Sequence, residues 1–155
     1  MPSAYDDAVL LLARRLLTRR ELYAKLEAKG HEPATIDEAL TRIAATYDIH
    51  DETVAADRVR VRGVSRGKAR VIGELASRGV DETAAASAWE EAVASGAVDP
   101  AASLARAVRR RLGPRHGGAS RARLARVYNA LLAEGFDERA VEAALAPYGL
   151  ERDDP

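Results

Sequence analysis

A five-residue pattern that begins with leucine and ends with glycine recurs in the middle helix of each of three predicted units and constrains the fold more than any other feature of the chain. It occupies residues 26–30, 75–79 and 131–135, so the three glycines lie 49 and then 56 residues apart. Each glycine follows apolar residues at helical spacing, where glycine supplies the left-handed residue that ends a helix. A supersecondary unit that recurs about every 50 residues is typical of a tandem helical array.

Cap residues and apolar spacing predict three helices around each of these glycines. The residues predicted to begin the helices are, in chain order, Ser3, Thr18, Pro33, Asp51, Ser65, Asp81, Asp99, Ser120 and Asp137. Residues 59–64 alternate like a strand, but no partner strand is evident, so a helix end is favoured. The expected fold is all-α: an elongated and curved array of three three-helix repeats at 1–50, 51–98 and 99–150, then an acidic tail at 151–155.

The charges of this chain are segregated along the sequence. Lysine and arginine total 24, as do aspartate and glutamate, so the formal net charge is zero. Residues 58–78 nevertheless carry a net charge of +6, and residues 104–126 carry +8 with no acid, while the other stretches carry −4, −5 and −5. Because exposed charges are screened beyond about 8–10 Å, a ligand near one basic block need not experience the distant acids. A net charge of zero therefore does not exclude a nucleic-acid partner.

The two basic blocks favour binding of a polyanion or an acidic protein surface over an ordinary solvated face. Arginine accounts for 21 of the 24 bases, and its planar guanidinium suits phosphates and carboxylates. The loop at 113–121 is cationic and leads into a helix N-terminus, which itself favours anions. The candidate DNA-binding or protein-binding residues are Arg58, Arg62, Arg66, Lys68, Arg70, Arg106, Arg109, Arg110, Arg115 and Arg121.

No pattern of catalytic or metal-binding residues is evident, so we expect neither an enzyme nor a cofactor or metal site. The chain has no cysteine, and its histidines, at 31, 50 and 116, are far apart in sequence. Aromatic residues that could stack on bases are scarce, so contact with nucleic acid should be mainly electrostatic. No apolar run reaches the roughly 18 residues of a spanning helix, and the absence of cysteine fits a cytoplasmic protein.

The order and spacing of many short motifs resemble those of the RecX family. The matching residues of the first repeat are Leu16-Leu17-Thr18-Arg19-Arg20-Glu21-Leu22, Leu26, Lys29-Gly30, Ile36-Asp37, Leu40 and Ile43. Those of the second repeat are Arg66-Gly67, Arg70-Val71, Glu74-Leu75 and Arg78-Gly79-Val80. The third repeat, from Ser120 to Tyr148, is similar mainly in its helix pattern and in Gly135-Phe136.

This resemblance implies a non-enzymatic, negative regulator of the RecA recombinase in DNA repair and recombination. RecX-like proteins are tandem three-helix repeats that bind in the groove of the RecA filament on DNA and inhibit ATP hydrolysis and strand exchange. The implied partners are the RecA filament and single-stranded and double-stranded DNA. We also expect the chain to be a monomer and to have no membrane partner. Two alternatives stay open: a free-standing, electrostatic DNA-binding helical module, and a scaffold that binds acidic proteins only.

Overall fold

The computed structural model describes residues 2–47, 50–114 and 118–149, which form nine α-helices, one short 3-10 helix and no strand. The α-helices are α1 (Ala4–Leu12), α2 (Arg19–Ala28), α3 (Pro33–Thr46), α4 (Asp51–Arg62), α5 (Lys68–Ser77), α6 (Glu82–Ala94), α7 (Pro100–Leu112), α8 (Arg121–Ala133) and α9 (Glu138–Leu145). The 3-10 helix spans Ala146–Tyr148. The all-α prediction is confirmed, whereas Arg115, His116 and the predicted tail at 151–155 lie outside the described residues.

Most predicted helix starts are confirmed by their capping hydrogen bonds. The Thr18 hydroxyl accepts from the Glu21 amide at 3.1 Å, and the Glu21 carboxylate accepts from the Thr18 amide at 3.0 Å. This reciprocal pair satisfies two amides that a helix start leaves without intrahelical partners. The residues whose side chains accept from first-turn amides in the same way are Ser3, Asp81, Asp99, Ser120 and Asp137.

Two predicted starts are wrong, and in both cases a contact distant in sequence explains why. Asp51 is the first residue of α4 rather than its cap, and its carboxylate accepts from the Arg19 amide at 2.9 Å. Helix α5 begins at Lys68 rather than near Ser65, whose hydroxyl donates to the Arg62 carbonyl at 3.4 Å. The first turn of α5 instead finds acceptors at the end of α8, so it does not need a side-chain cap.

The contacts divide the chain into two compact units. The first unit comprises Met1–Asp57 and Glu74–Ala88, and the second comprises Arg58–Gly73 and Trp89–Pro155. Helices α1 to α3 therefore belong to the first unit and α7 to α9 to the second, while the residues of α4, α5 and α6 are divided between them. The division into three sequence repeats stays a prediction.

Each unit has a core of mostly aliphatic side chains at helical spacing. Burying one such side chain stabilises the fold by roughly 1.5–3 kcal/mol. In the first unit the buried cluster contains Ala8, Leu17, Leu22, Leu26, Ile36, Leu40 and Ile43. In the second unit it contains Leu104, Ala107, Val108, Val127, Leu131, Phe136, Val141, Leu145 and Tyr148.

In the first unit, the start of α2 packs against the end of α5. The Thr18 hydroxyl donates to the Arg78 carbonyl at 2.6 Å, and the Arg78 guanidinium donates to both carboxylate oxygens of Glu21 at 2.9 Å. These hydrogen bonds lower the pKa of Glu21, with the Arg78 hydrogen bond as the largest cause, and raise the pKa of Arg78. Gly79 follows with φ at +95°, and a Cβ there would lie 2.8 Å from the Arg20 Cβ.

In the second unit, the start of α5 meets the end of α8 backbone to backbone. The Gly67 amide donates to the Glu134 carbonyl at 2.9 Å, and the Ala69 amide donates to the Gly135 carbonyl at 3.2 Å. A Cβ on Gly67 would overlap the Gly135 carbonyl, and a Cβ on Gly135 would overlap the Arg70 amide. Only glycine at both positions allows this approach.

Replacing Gly67 by alanine should destabilise the protein, because the added methyl group forces the two backbones apart. We expect Gly67→Ala to lower the free energy of unfolding by about 1–3 kcal/mol. The control is Gly73→Ala, since Gly73 is exposed within α5 and a Cβ there meets nothing within 4 Å. This control should stabilise the helix by about 0.5–1 kcal/mol. Urea unfolding followed by circular dichroism measures both, and equal effects would contradict the close approach.

Asp7 is a nearly buried carboxylate of the first unit, only 6% exposed. One of its oxygens accepts from the Lys29 ammonium at 2.7 Å, and the other lies 2.8 Å from His31 Nε2. The pKa of Asp7 lies below the ordinary value of 3.8. The largest cause is the hydrogen bond from Lys29, followed by the contact with His31. These contacts connect α1 to the segment that follows α2.

The lowered pKa of Asp7 predicts a specific loss of stability in acid. A carboxylate with a depressed folded-state pKa contributes its full stability above the unfolded value, 3.8, and loses it as the pH falls through the folded value. Asp7→Asn should therefore lower the urea midpoint at pH 7, and its difference from wild type should shrink in acid, as the pH falls below 3.8 and through the folded value.

The control for this titration is Asp37→Asn, which changes an exposed aspartate on α3. Its urea midpoint should stay near that of the wild type at both pH values. A difference between Asp7→Asn and wild type that is the same at pH 7 and in acid would contradict the assignment.

Candidate interface for an anionic partner

The two units differ in charge. The first unit contains 8 basic and 14 acidic residues, a formal charge of −6, whereas the second contains 16 basic and 10 acidic residues, +6. The nine candidate binding residues that the structure describes belong to the second unit, and Arg78 is the one base of the 58–78 block that does not. Two basic blocks that are separate in the sequence therefore belong to one folded unit.

Arg106 connects these two blocks and has a structural role. Its guanidinium donates to the Val64 carbonyl at 2.9 Å and to the Ser103 hydroxyl at 3.1 Å. The Ser103 hydroxyl, only 1% exposed as a residue, donates in turn to the Gly63 carbonyl at 2.9 Å. These bonds hold α7 against the segment that follows α4.

Arg66 is also engaged within the unit, through Glu134 at the end of α8. One carboxylate oxygen of Glu134 accepts from the Arg111 guanidinium at 2.5 Å. The Arg66 guanidinium lies 3.6 Å from the same oxygen. All three side chains are more than two-thirds buried, so the pairs are only partly screened by water. A glutamate in place of Arg66 would face the Glu134 carboxylate, so charge reversal there would perturb the fold itself.

The remaining candidates of the first basic block also have partners within the structure. Lys68 pairs with Glu90 at 2.5 Å, but both side chains are largely exposed, so the pair contributes little stability. Arg58 and Arg62 are half-buried on α4, Arg70 is exposed on α5, and each takes part in a polar or electrostatic interaction.

Three candidate arginines remain open to an external partner. Arg109, Arg110 and Arg121 are exposed, and within residues 2–47, 50–114 and 118–149 their side chains have no hydrogen-bond or ion-pair partner. Arg109 and Arg110 lie in the last turn of α7, and Arg121 is the first residue of α8, where free amides favour anions. They can bind phosphate or carboxylate without breaking a contact of the described fold. Arg115, the tenth candidate, lies outside the described residues.

The residues whose hydrogen bonds join the helices of the second unit could not be recognised from the sequence. Glu134 and Ser103 give no local signal, because their partners lie on helices distant in sequence. Arg111 belongs to the second basic block, and its pairing with Glu134 likewise gives no local signal in the sequence. The Arg111 carbonyl also accepts a hydrogen bond at 2.8 Å from the guanidinium of Arg123, another residue of the second basic block.

The described part of the chain contains no group of three or more histidine, cysteine, aspartate or glutamate residues that could hold a metal ion. His31 contacts Asp7 in the first unit, and His50 is exposed next to the start of α4. A search of the same residues found no helix that is both long enough and apolar enough to cross a membrane.

Comparison with known proteins places this chain among regulatory proteins. The family model for the first three-helix domain of RecX matches residues 4–42. The chain is 37% identical to the regulatory protein RecX of Halorhodospira halophila over 143 residues, which cover 91% of this chain and 85% of that protein. It is 31% identical to that of Geobacillus kaustophilus over 94% of this chain, but spans only 54% of that longer protein. It likewise spans 57% of the relative from Chromohalobacter salexigens, which is 40% identical over 55% of this chain.

The fold is also similar to solved structures of RecX proteins. The crystal structure of RecX from Lactobacillus salivarius superposes with a TM-score of 0.74 over 92% of both chains, at 22% sequence identity. A crystal structure of regulatory protein RecX superposes with a TM-score of 0.77 over 91% of this chain and 69% of the other, at 18% identity. By its sequence similarity over most of a relative's length, and by a fold that agrees, this chain belongs to the RecX family.

Proposed function

We propose that this protein is a negative regulator of the RecA recombinase, which binds the RecA filament on DNA and inhibits ATP hydrolysis and strand exchange. Family membership carries the proposal, since the relatives are named as regulatory proteins and RecX-like proteins act on that recombinase. The charge of the second unit supports it physically, because a filament on DNA presents phosphates together with protein surface.

The open arginines supply the contact that this role requires. The guanidinium groups of Arg109, Arg110 and Arg121 are exposed and have no partner among the described residues. Each can donate two hydrogen bonds to one phosphate, which releases condensed counterions and makes the binding sensitive to salt. The engaged arginines, such as Arg66 and Arg106, instead position the helices that carry the open ones.

In this proposal the protein acts by occupancy and makes or breaks no covalent bond. It needs no cofactor, works as a monomer in the cytoplasm, and slows ATP hydrolysis because its binding opposes changes that the filament must undergo. The excess of acidic residues in the first unit limits binding to bare DNA, since like charges repel phosphates.

Binding to DNA should depend on the open arginines through its salt dependence. For single strands, the slope of log affinity against log salt changes by about 0.7 for each phosphate contact. The double variant Arg110→Ala/Arg121→Ala should therefore reduce the slope by about 1.4 units. Fluorescence anisotropy of labelled oligo(dT) between about 50 and 200 mM salt measures it.

The matched control for this measurement is Arg139→Ala, which removes an exposed arginine on α9 outside both basic blocks. Its salt slope should equal that of the wild type. A slope reduced equally by Arg139→Ala would mean that only total charge matters, which contradicts an assigned contact.

Inhibition of the recombinase is the direct test of the proposed function. We expect the wild-type protein to inhibit the ATPase of RecA on single-stranded DNA at well below one molecule per RecA subunit. Arg110→Glu/Arg121→Glu should need about tenfold more protein for half-inhibition, because two attractive contacts become repulsive. Arg139→Glu should inhibit like the wild type.

Two results of the ATPase assay would contradict the proposal. The absence of inhibition by wild-type protein at stoichiometric excess would exclude regulation of RecA. Inhibition that disappears when excess DNA is added would instead indicate the free-standing DNA-binding module, since that protein would act only by competing for DNA.

A further inference from the structure

An apolar groove of about 360 Å³ lies in the second unit between α7 and the end of α9, and the role of the basic surface does not account for it. The residues that line it are Ala105, Val108, Arg109, Gly113, Pro114, Ala144 and Tyr148. Val108 and Tyr148 are almost fully buried, whereas Ala105 is exposed and Ala144 is half-buried. Its volume suits one or two side chains, at the lower end of the range for ligand pockets.

The lining of the groove suits an aliphatic side chain better than a nucleobase. Its surface is mostly carbon, and a base would need polar groups for its edge or an aromatic face on which to stack. Tyr148 is the one aromatic residue in the lining, but it is only 6% exposed and its hydroxyl points toward the Gly113 carbonyl at 3.5 Å. An apolar group that entered the groove would leave water without losing any hydrogen bond.

The charge beside the groove is positive and uncompensated within the described residues. Arg109 is the one charged residue in the lining, and it has no partner there. On α9, Glu138 accepts from the Tyr128 hydroxyl at 2.6 Å, and this bond is the largest cause, ahead of desolvation, that raises the pKa of Tyr128 to about 12. A ligand for this groove should therefore combine an apolar group with a carboxylate.

We propose that the groove docks an acidic segment of a partner protein, which inserts an apolar side chain over Val108 and Tyr148 and pairs a carboxylate with Arg109. This inference rests on the proposed function, in which the partner is a subunit of the recombinase filament, and it names the chemistry of the protein contact. DNA phosphates would then be left to Arg110 and Arg121, outside the lining.

Binding of two short peptides to the full chain tests the proposal. The probes are fluorescein-labelled peptides of sequence Asp-Asp-Leu-Leu-Asp-Asp and Asp-Asp-Ser-Ser-Asp-Asp, which carry the same charge. We expect the leucine peptide to bind about tenfold more tightly, because only it can bury apolar surface in the groove. Anisotropy at a fixed salt concentration measures both affinities.

Matched variants assign the binding to the groove. Ala105→Glu fills one side of the groove and places a carboxylate one turn before Arg109, so it should weaken the leucine peptide about tenfold. The control, Ala101→Glu, adds the same charge at an exposed position of α7 that does not line the groove, and should leave that affinity unchanged. Arg109→Gln keeps the groove open and should also weaken the peptide, which guards against a folding defect in Ala105→Glu.

Three results would overturn the proposal. Equal affinity for the two peptides would show that the groove takes no apolar group. Equal weakening of oligo(dT) and of the leucine peptide by Ala105→Glu would assign the groove to a nucleotide. Much tighter peptide binding after removal of residues 150–155 would assign it to the chain's own end. Because no recombinase is present, failure here leaves the proposed regulation standing, and failure of the ATPase test leaves this peptide site standing.

Discussion

The contact between Gly67 and Gly135 is the constraint on which the second unit depends. Two backbones can approach this closely only without side chains, and the approach lets the end of α8 accept hydrogen bonds from the amides at the start of α5. The same contact brings Arg66 beside Glu134, which also pairs with Arg111 of α7. A single pair of glycines thus gathers residues of both basic blocks around one carboxylate.

In the first unit the end of one helix also meets the start of another, but side-chain hydrogen bonds rather than backbone hydrogen bonds join them. There Gly79 ends α5, and the start of α2 contacts it through the Thr18 hydroxyl and the pair of Glu21 with Arg78. In each unit one recurring glycine, Gly79 or Gly135, ends a helix that receives the start of another, whereas a Cβ on Gly30 would meet nothing within 4 Å. Two of the three recurring glycines therefore mark helix junctions, and all three follow the end of a helix.

The helices could largely be predicted because their signals are local. Capping residues such as Thr18, and glycines such as Gly79, act within one turn of the helix they begin or end. The start of α5 could not be predicted in this way, since its acceptors come from α8 and Ser65 offered a plausible but wrong cap. The sequence also located the basic blocks, but could not separate engaged arginines such as Arg106 from exposed ones such as Arg110. That distinction depends on carbonyls and carboxylates supplied by other helices.

In the proposed function, the second unit carries the contact with the recombinase filament through α7 and α8. Amide hydrogen exchange, measured by mass spectrometry on the protein alone and bound to the filament on single-stranded DNA, tests this claim directly. We expect slower exchange in Pro100–Leu112 and Arg121–Ala133 on binding, with little change in Pro33–Thr46 of the first unit. Slower exchange confined to the first unit would contradict it.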